Sequence, residues 1–184
     1  MKKNRREEIE IMTKEIRNNF GAESDALLDV VELAESNGFI VGTVFMDEDE
    51  DGFIVINESE NSNKIKVLGI EAEKIIGVNA KHDIKWKRFI IAHELGHYFL
   101  HYDESKNMGL YAHRDHNSLE KNESEQEADY FAAALLMPRE SFINKFEELK
   151  EKQLGESDII TILSDKYNCE KVAVKRRIGE VNGF

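Results

Sequence analysis

Cysteine and proline each occur only once in this chain of 184 residues, as Cys169 and Pro138. A single thiol excludes an internal disulfide, which fits a reducing compartment, so a cytoplasmic location is expected. Cys169 lies in a polar stretch without activating neighbours and is read as inert. No run of about 18 consecutive apolar residues occurs, so no segment reads as a membrane span. The N-terminus, MKKNRREEIEIM, carries charge with no apolar core behind it, and a secretory signal is not expected. Basic residues are outnumbered: 25 Lys and Arg against 37 Asp and Glu give a formal net charge of −12. Such a surface repels phosphate backbones, and direct nucleic-acid binding is not expected. Acidic residues gather at 47–51 (DEDED) and again at 119–129, and both runs read as solvated surface.

What is present suffices for one domain with a real core, 1–184. Four subregions follow one another. N-terminal helices are expected within 1–38, over residues 5–19 and 24–37, the second with Ser24 as N-cap and Gly38 as its stop. Residues 39–80 are rich in β-branched side chains. Strands are expected at 39–46, 53–57, 64–69 and 74–78, the last pairing weakly, with DEDEDG as a turn. Short connections make that small sheet mostly antiparallel. Helical periodicity returns over 84–138, as one amphipathic helix to about 102, a polar loop over 103–118 and a second helix over 121–137 closed by Pro138. Residues 139–184 form a C-terminal helical portion. The order predicts an α+β fold.

The first of these helices contains His93-Glu94-Leu95-Gly96-His97. Residues four apart on a helix are about 40° apart around the axis and about 6 Å apart along it, so both imidazoles leave one side. They can share one metal ion at about 2.0–2.1 Å. Glu94, about 100° away, is badly placed as a third ligand but can reach a water beside the ion and take its proton. Phe89, Ile90 and Leu100 lie on the same side as the histidines, and two neutral histidines in a core need a partner. Gly96 costs a helix about 1 kcal/mol relative to alanine, which calls for a close approach there.

Two histidines need a third protein ligand. Glu125 and Asp129 lie four apart on the next helix, in line with Ala128, Ala132 and Leu135. One of the two can ligate the ion while the other holds a ligand imidazole by its remaining N–H. Glu127 points elsewhere and reads as solvated.

With these stretches on the page, RFIIAHELGHYFLH (88–101) and EQEADYFAAALLMP (125–138), the chain resembles the ImmA/IrrE family of metallo-endopeptidases, zincins of the glutamate-ligand type. The resemblance runs from about residue 24 to the end. It implies a zincin-like domain in which one Zn2+ is bound by His93, His97 and Glu125, with Glu94 catalytic. Asp129 stands where the family often has Asn or Asp, which implies a supporting role beside the ligands. Several family members cleave a helix-turn-helix repressor. The chain has no room for a DNA-binding domain of its own, so the implied partner is a separate DNA-binding repressor. The rival reading is a zinc-stabilised, non-catalytic antirepressor or protein-binding module. It leaves Glu94 without a task and offers three ligands, none a cysteine, where structural sites usually close with four.

Other residues have lesser claims. His101 follows His97 by four and reads as a supporting or core histidine. Tyr111, His113, Arg114 and His116 are expected in a loop over the site, where any could donate to the oxyanion of peptide hydrolysis. Trp86 and Phe89 read as core, and His82 as a loop residue. Residues 156–184 have a helix-turn-helix-like cadence, with Lys171, Lys175, Arg176 and Arg177 adding positive charge. That segment is read as packing or partner recognition rather than DNA contact.

Overall fold

The computed structural model describes residues 1–23, 25–56, 65–67, 70–103, 110–115 and 123–182. The chain forms two compact units, one of Asp29–Ala128 and one of Met1–Leu28 with Asp129–Phe184. No helix among the described residues is long and apolar enough to cross a membrane.

The first unit begins with helix α2 (Val30–Ser36), shorter than the expected 24–37. Ser24 lies outside the described residues. The cap is Asp29, whose carboxylate accepts from the backbone N–H of Val31 and Glu32, and a cap there leaves the preceding residues outside the helix. The stop at Gly38 is as expected. It adopts φ +84°, and the N–H groups of Phe39 and Gly38 return to the carbonyls of Ala34 and Glu35.

Strands β1 (Ile40–Val44), β2 (Glu50–Ile56), β5 (Lys74–Asn79) and β6 (Leu110–Asp115) form one sheet in the order β1-β5-β2-β6. The β1–β5 pair is parallel, and the β5–β2 and β2–β6 pairs are antiparallel. A separate hairpin joins β3 (Ile65–Val67) and β4 (Ile70–Ala72). The segment expected to pair weakly, 74–78, is instead an interior strand. Residues Ile75–Asn79 are all buried, because β5 has a neighbour on each edge and its run of apolar and small residues suits that place. Gly77 admits the ring of Phe53 from β2, which a Cβ at 77 would strike. Helix α3 (Ile84–His101) packs on β2, β5 and β6, with α2 against α3 and β1.

The other unit holds α1 (Lys3–Asn19), α5 (Arg139–Glu151), α6 (Glu156–Tyr167) and α7 (Lys171–Asn182). Helix α4 (Glu123–Leu136) contributes residues from Asp129 onward. Its core is aromatic and aliphatic: Ile9, Phe131, Leu135, Phe142, Leu163 and Val174 are fully buried. Arg176 and Arg177, expected to add local positive charge, are both ion-paired within this unit. Arg177 is fully buried against Glu10, and Arg176 is paired with Asp129 and Glu180. Cys169 is buried at the α6–α7 turn, next to Asn168 in the left-handed conformation. Among the described residues, seven helices and a small mixed sheet make an α+β, zincin-like fold.

Candidate metal centre

Helix α3 starts where the carboxylate of Asp83 accepts from the backbone N–H of Trp86 at 2.9 Å. The sequence suggests a one-sided helix, but Arg88 to His97 are ten consecutive buried residues, covered all round. Phe89 is core as expected, while Trp86 is half-buried and stacked on it. Burial all round brings His93, Glu94 and His97 inside together. The four-residue spacing then turns His93 and His97 toward each other, with Nε2 atoms 3.1 Å apart.

Glu125 arrives from the first turn of α4. Its Oε2 lies 3.2 Å from His93 Nε2 and its Oε1 3.1 Å from His97 Nε2. Burial alone pushes the Glu125 carboxyl up. Hydrogen bonds and charge from the two imidazoles outweigh burial and hold it well below the usual carboxylate range. Each of the three residues offers one ligand atom, all within 4.8 Å of one another, so the cluster could hold a metal ion.

The spacing fits that purpose. Four-coordinate bonds of about 2.0–2.1 Å place ligand atoms about 3.3 Å apart along a tetrahedral edge. The 3.1 Å between the two Nε2 atoms is close to that edge length, and each imidazole has a different oxygen of the Glu125 carboxylate at 3.1–3.2 Å. Two imidazoles and a carboxylate suit a borderline divalent ion, and three protein ligands leave a fourth position for solvent or substrate. His101 stays outside this ligand set. Its Nε2 is 3.3 Å from the carbonyl oxygen of Ser124, which links the last turn of α3 to the first turn of α4.

Glu94 is completely buried. Strand β2 meets α3 beside it, at Gly52. A Cβ at residue 52 would lie 2.5 Å from Ile90 Cγ2, 2.8 Å from the carbonyl oxygen of Gly77 and 3.8 Å from Glu94 Oε1. Only glycine lets the strand come this close. The β2–β6 register shifts between Glu50 and Gly52, and Asp51 is the extra residue. Asp51 is buried, with Oδ1 2.6 Å from His82 Nε2 and 3.5 Å from Trp86 Nε1. Sequence reasoning missed both residues by assigning them to a turn. The available signal was a glycine directly ahead of an apolar strand, which can mark a bulge or a close backbone approach.

The remaining candidates divide. Asp129 is fully buried on α4, and its Oδ2 accepts from Arg176 Nη1 at 2.8 Å. Glu127, read as solvated, is buried as well. Tyr111, His113 and Arg114 do not lie in a loop. They belong to β6, opposite Val55, Phe53 and Gly52 of β2, and it is pairing with β2 that makes LYAHRD a strand despite its polar content. His116 lies outside the described residues.

Residues 45–178 match the family model described as the IrrE N-terminal-like domain, Peptidase_M78. No curated protein matches the chain.

Proposed function

From the premise that the chain belongs to the IrrE N-terminal-like peptidase family, we propose that it is a zinc-dependent endopeptidase acting in the cytoplasm on a separate DNA-binding repressor. The observation that carries this reading is the meeting of His93, His97 and Glu125 at one point, with Glu94 on the same helix as the two imidazoles.

His93 and His97 would hold the ion through Nε2, and Glu125 through a carboxylate oxygen. When bound, zinc supplies Lewis acidity to the scissile carbonyl and lowers the pKa of a water to about 7. Glu94 accepts a proton from the attacking water as the new C–O bond forms. It then delivers a proton to the departing amine nitrogen as the C–N bond breaks, so no covalent intermediate arises. The buried walls of α3 keep bulk water from competing for that proton. His101 acts at one remove, by holding the start of α4. Asp129, one helical turn beyond Glu125, is proposed to support the ligand set rather than to join it.

The test is direct. The zinc-loaded protein is incubated with purified candidate helix-turn-helix repressors, and the products are read by mass spectrometry. A single new pair of termini is expected from the native protein and none from Glu94→Gln. If Glu94→Gln relieves repression in cells as well as the native chain does, the role is binding and the peptidase reading fails.

A further inference from the structure

The outward side of α7 has a composition unlike the rest of the chain. Lys171, Val172, Lys175 and Gly179 fall within about 100° of one another around the helix axis, and all four are exposed. Val172 leaves 65% of its surface uncovered. Three of these residues, with Glu156, Ser157 and Ile160 of α6, line an open groove of about 630 Å³.

Two further observations say what kind of surface this is. A Cβ at Gly179 would meet nothing within 4 Å, so the fold does not require glycine there. Glycine is nevertheless a poorer helix former than alanine. A bare backbone on an exposed helix face allows a second helix to come close. The second observation is charge. Arg176 and Arg177 are neutralised within the fold by Asp129, Glu180 and Glu10. Lys171 and Lys175 therefore set the sign of this face, on a chain whose net charge is −12. The one carboxylate in the groove, Glu156, belongs to the first turn of α6, where the helix dipole favours it.

We propose that this face docks an acidic, amphipathic helix of a partner protein. An apolar residue of that helix enters the groove between Ile160 and Val172, and its flanking carboxylates meet Lys171 and Lys175. Gly179 admits its backbone at the far end. Nucleic acid fits less well, because Arg177 is buried, Arg176 is already ion-paired with two carboxylates, and most of the remaining charge is negative. The inference is independent of the reaction at the metal centre.

The test uses the intact chain and a fluorescent helix-forming peptide with leucines on one side and glutamates flanking them. A matched peptide carries lysine for glutamate, and a mixed-sequence DNA duplex is the third probe. Anisotropy should show salt-sensitive binding of the glutamate peptide alone. Binding should fall about tenfold or more in Val172→Asp and in the double variant Lys171→Glu/Lys175→Glu. Gly179→Leu should weaken it while raising Tm, and Lys171→Gln/Lys175→Gln should give an intermediate loss without reversing charge. Equal binding of the lysine peptide, undiminished binding by the variants, preference for the duplex, or no binding of either peptide would overturn the proposal. So would sedimentation of the chain alone as a dimer that Val172→Asp dissolves, which would assign the face to a second copy.

Discussion

Two clusters of buried and half-buried carboxylates among the described residues have partners of opposite kinds. Around Glu10, Asp129 and Glu180, each carboxylate meets a guanidinium: Arg177 at 2.7 Å from Glu10, and Arg176 at 2.8 Å from Asp129 and 2.9 Å from Glu180. Those charges are permanent, since arginine does not deprotonate in a folded protein. Around Glu125 the partners are two imidazoles, whose charge depends on a proton or a metal. The first cluster is complete from the chain's own residues. The second is one that could hold a cation among its three donors. The contrast separates ionic groups that stabilise a fold from a similar set that can take up an exchangeable ion.

Substitutions should break the two clusters in different observables. The largest effect belongs to Glu94→Gln, with kcat expected to fall about 10²–10⁴-fold while metal content and Tm stay near native. Single-turnover cleavage with parallel elemental analysis reads both. Next, Arg177→Met should cost about 3–5 kcal/mol in urea unfolding, because Glu10, only 11% exposed, loses its guanidinium, and the folded fraction should still bind metal. Loss of metal at native stability in that variant would erase the distinction drawn between the clusters. Gly52→Ala follows, at about 1–3 kcal/mol, because the strand must move off Ile90 and Glu94. Turnover should fall with it, while the three ligands keep their ion.

The smallest effect is a pH dependence confined to the arginine cluster. Burial and the negative charge of Glu10 push the Tyr130 phenol above its ordinary value, against the pull of Arg177. A raised folded-state pKa contributes its full stability below about pH 10, where the phenol is protonated in both states. As pH rises further the unfolded chain ionises first, so that stability is lost on the alkaline side. Tyr130→Phe should remove this extra loss in Tm between pH 9 and 11, at a cost near neutrality of about 1.5–3 kcal/mol for the bond to Glu10.

That His93, His97 and Glu125 could gather into one cluster is legible in the sequence, because most of its geometry is local. The spacing of His93, Glu94 and His97 fixes their directions on any helix, and Glu125 lies in line with an apolar stripe on the next one. What the sequence hid depends on distant partners. Arg177 reads as local positive charge until Glu10, 167 residues away, is placed against it, and the pairing of Arg176 appears only with Asp129, 47 residues away. Strand β6 owes its structure to β2 rather than to LYAHRD itself. Residues 74–78 look marginal alone and prove interior because strands cover both edges. Gly52 reads as a turn glycine, and its reason, the approach of β2 to α3, exists only in three dimensions.

The central claim is that three donors from two helices hold one divalent ion. Anomalous diffraction at the zinc edge, on crystals grown from metal-replete protein, tests it most directly. The account predicts one peak per chain, within bonding distance of His93 Nε2, His97 Nε2 and the Glu125 carboxylate, and no peak there in Glu125→Ala. A peak elsewhere in the chain, or an undiminished peak between the imidazoles of Glu125→Ala, would contradict it.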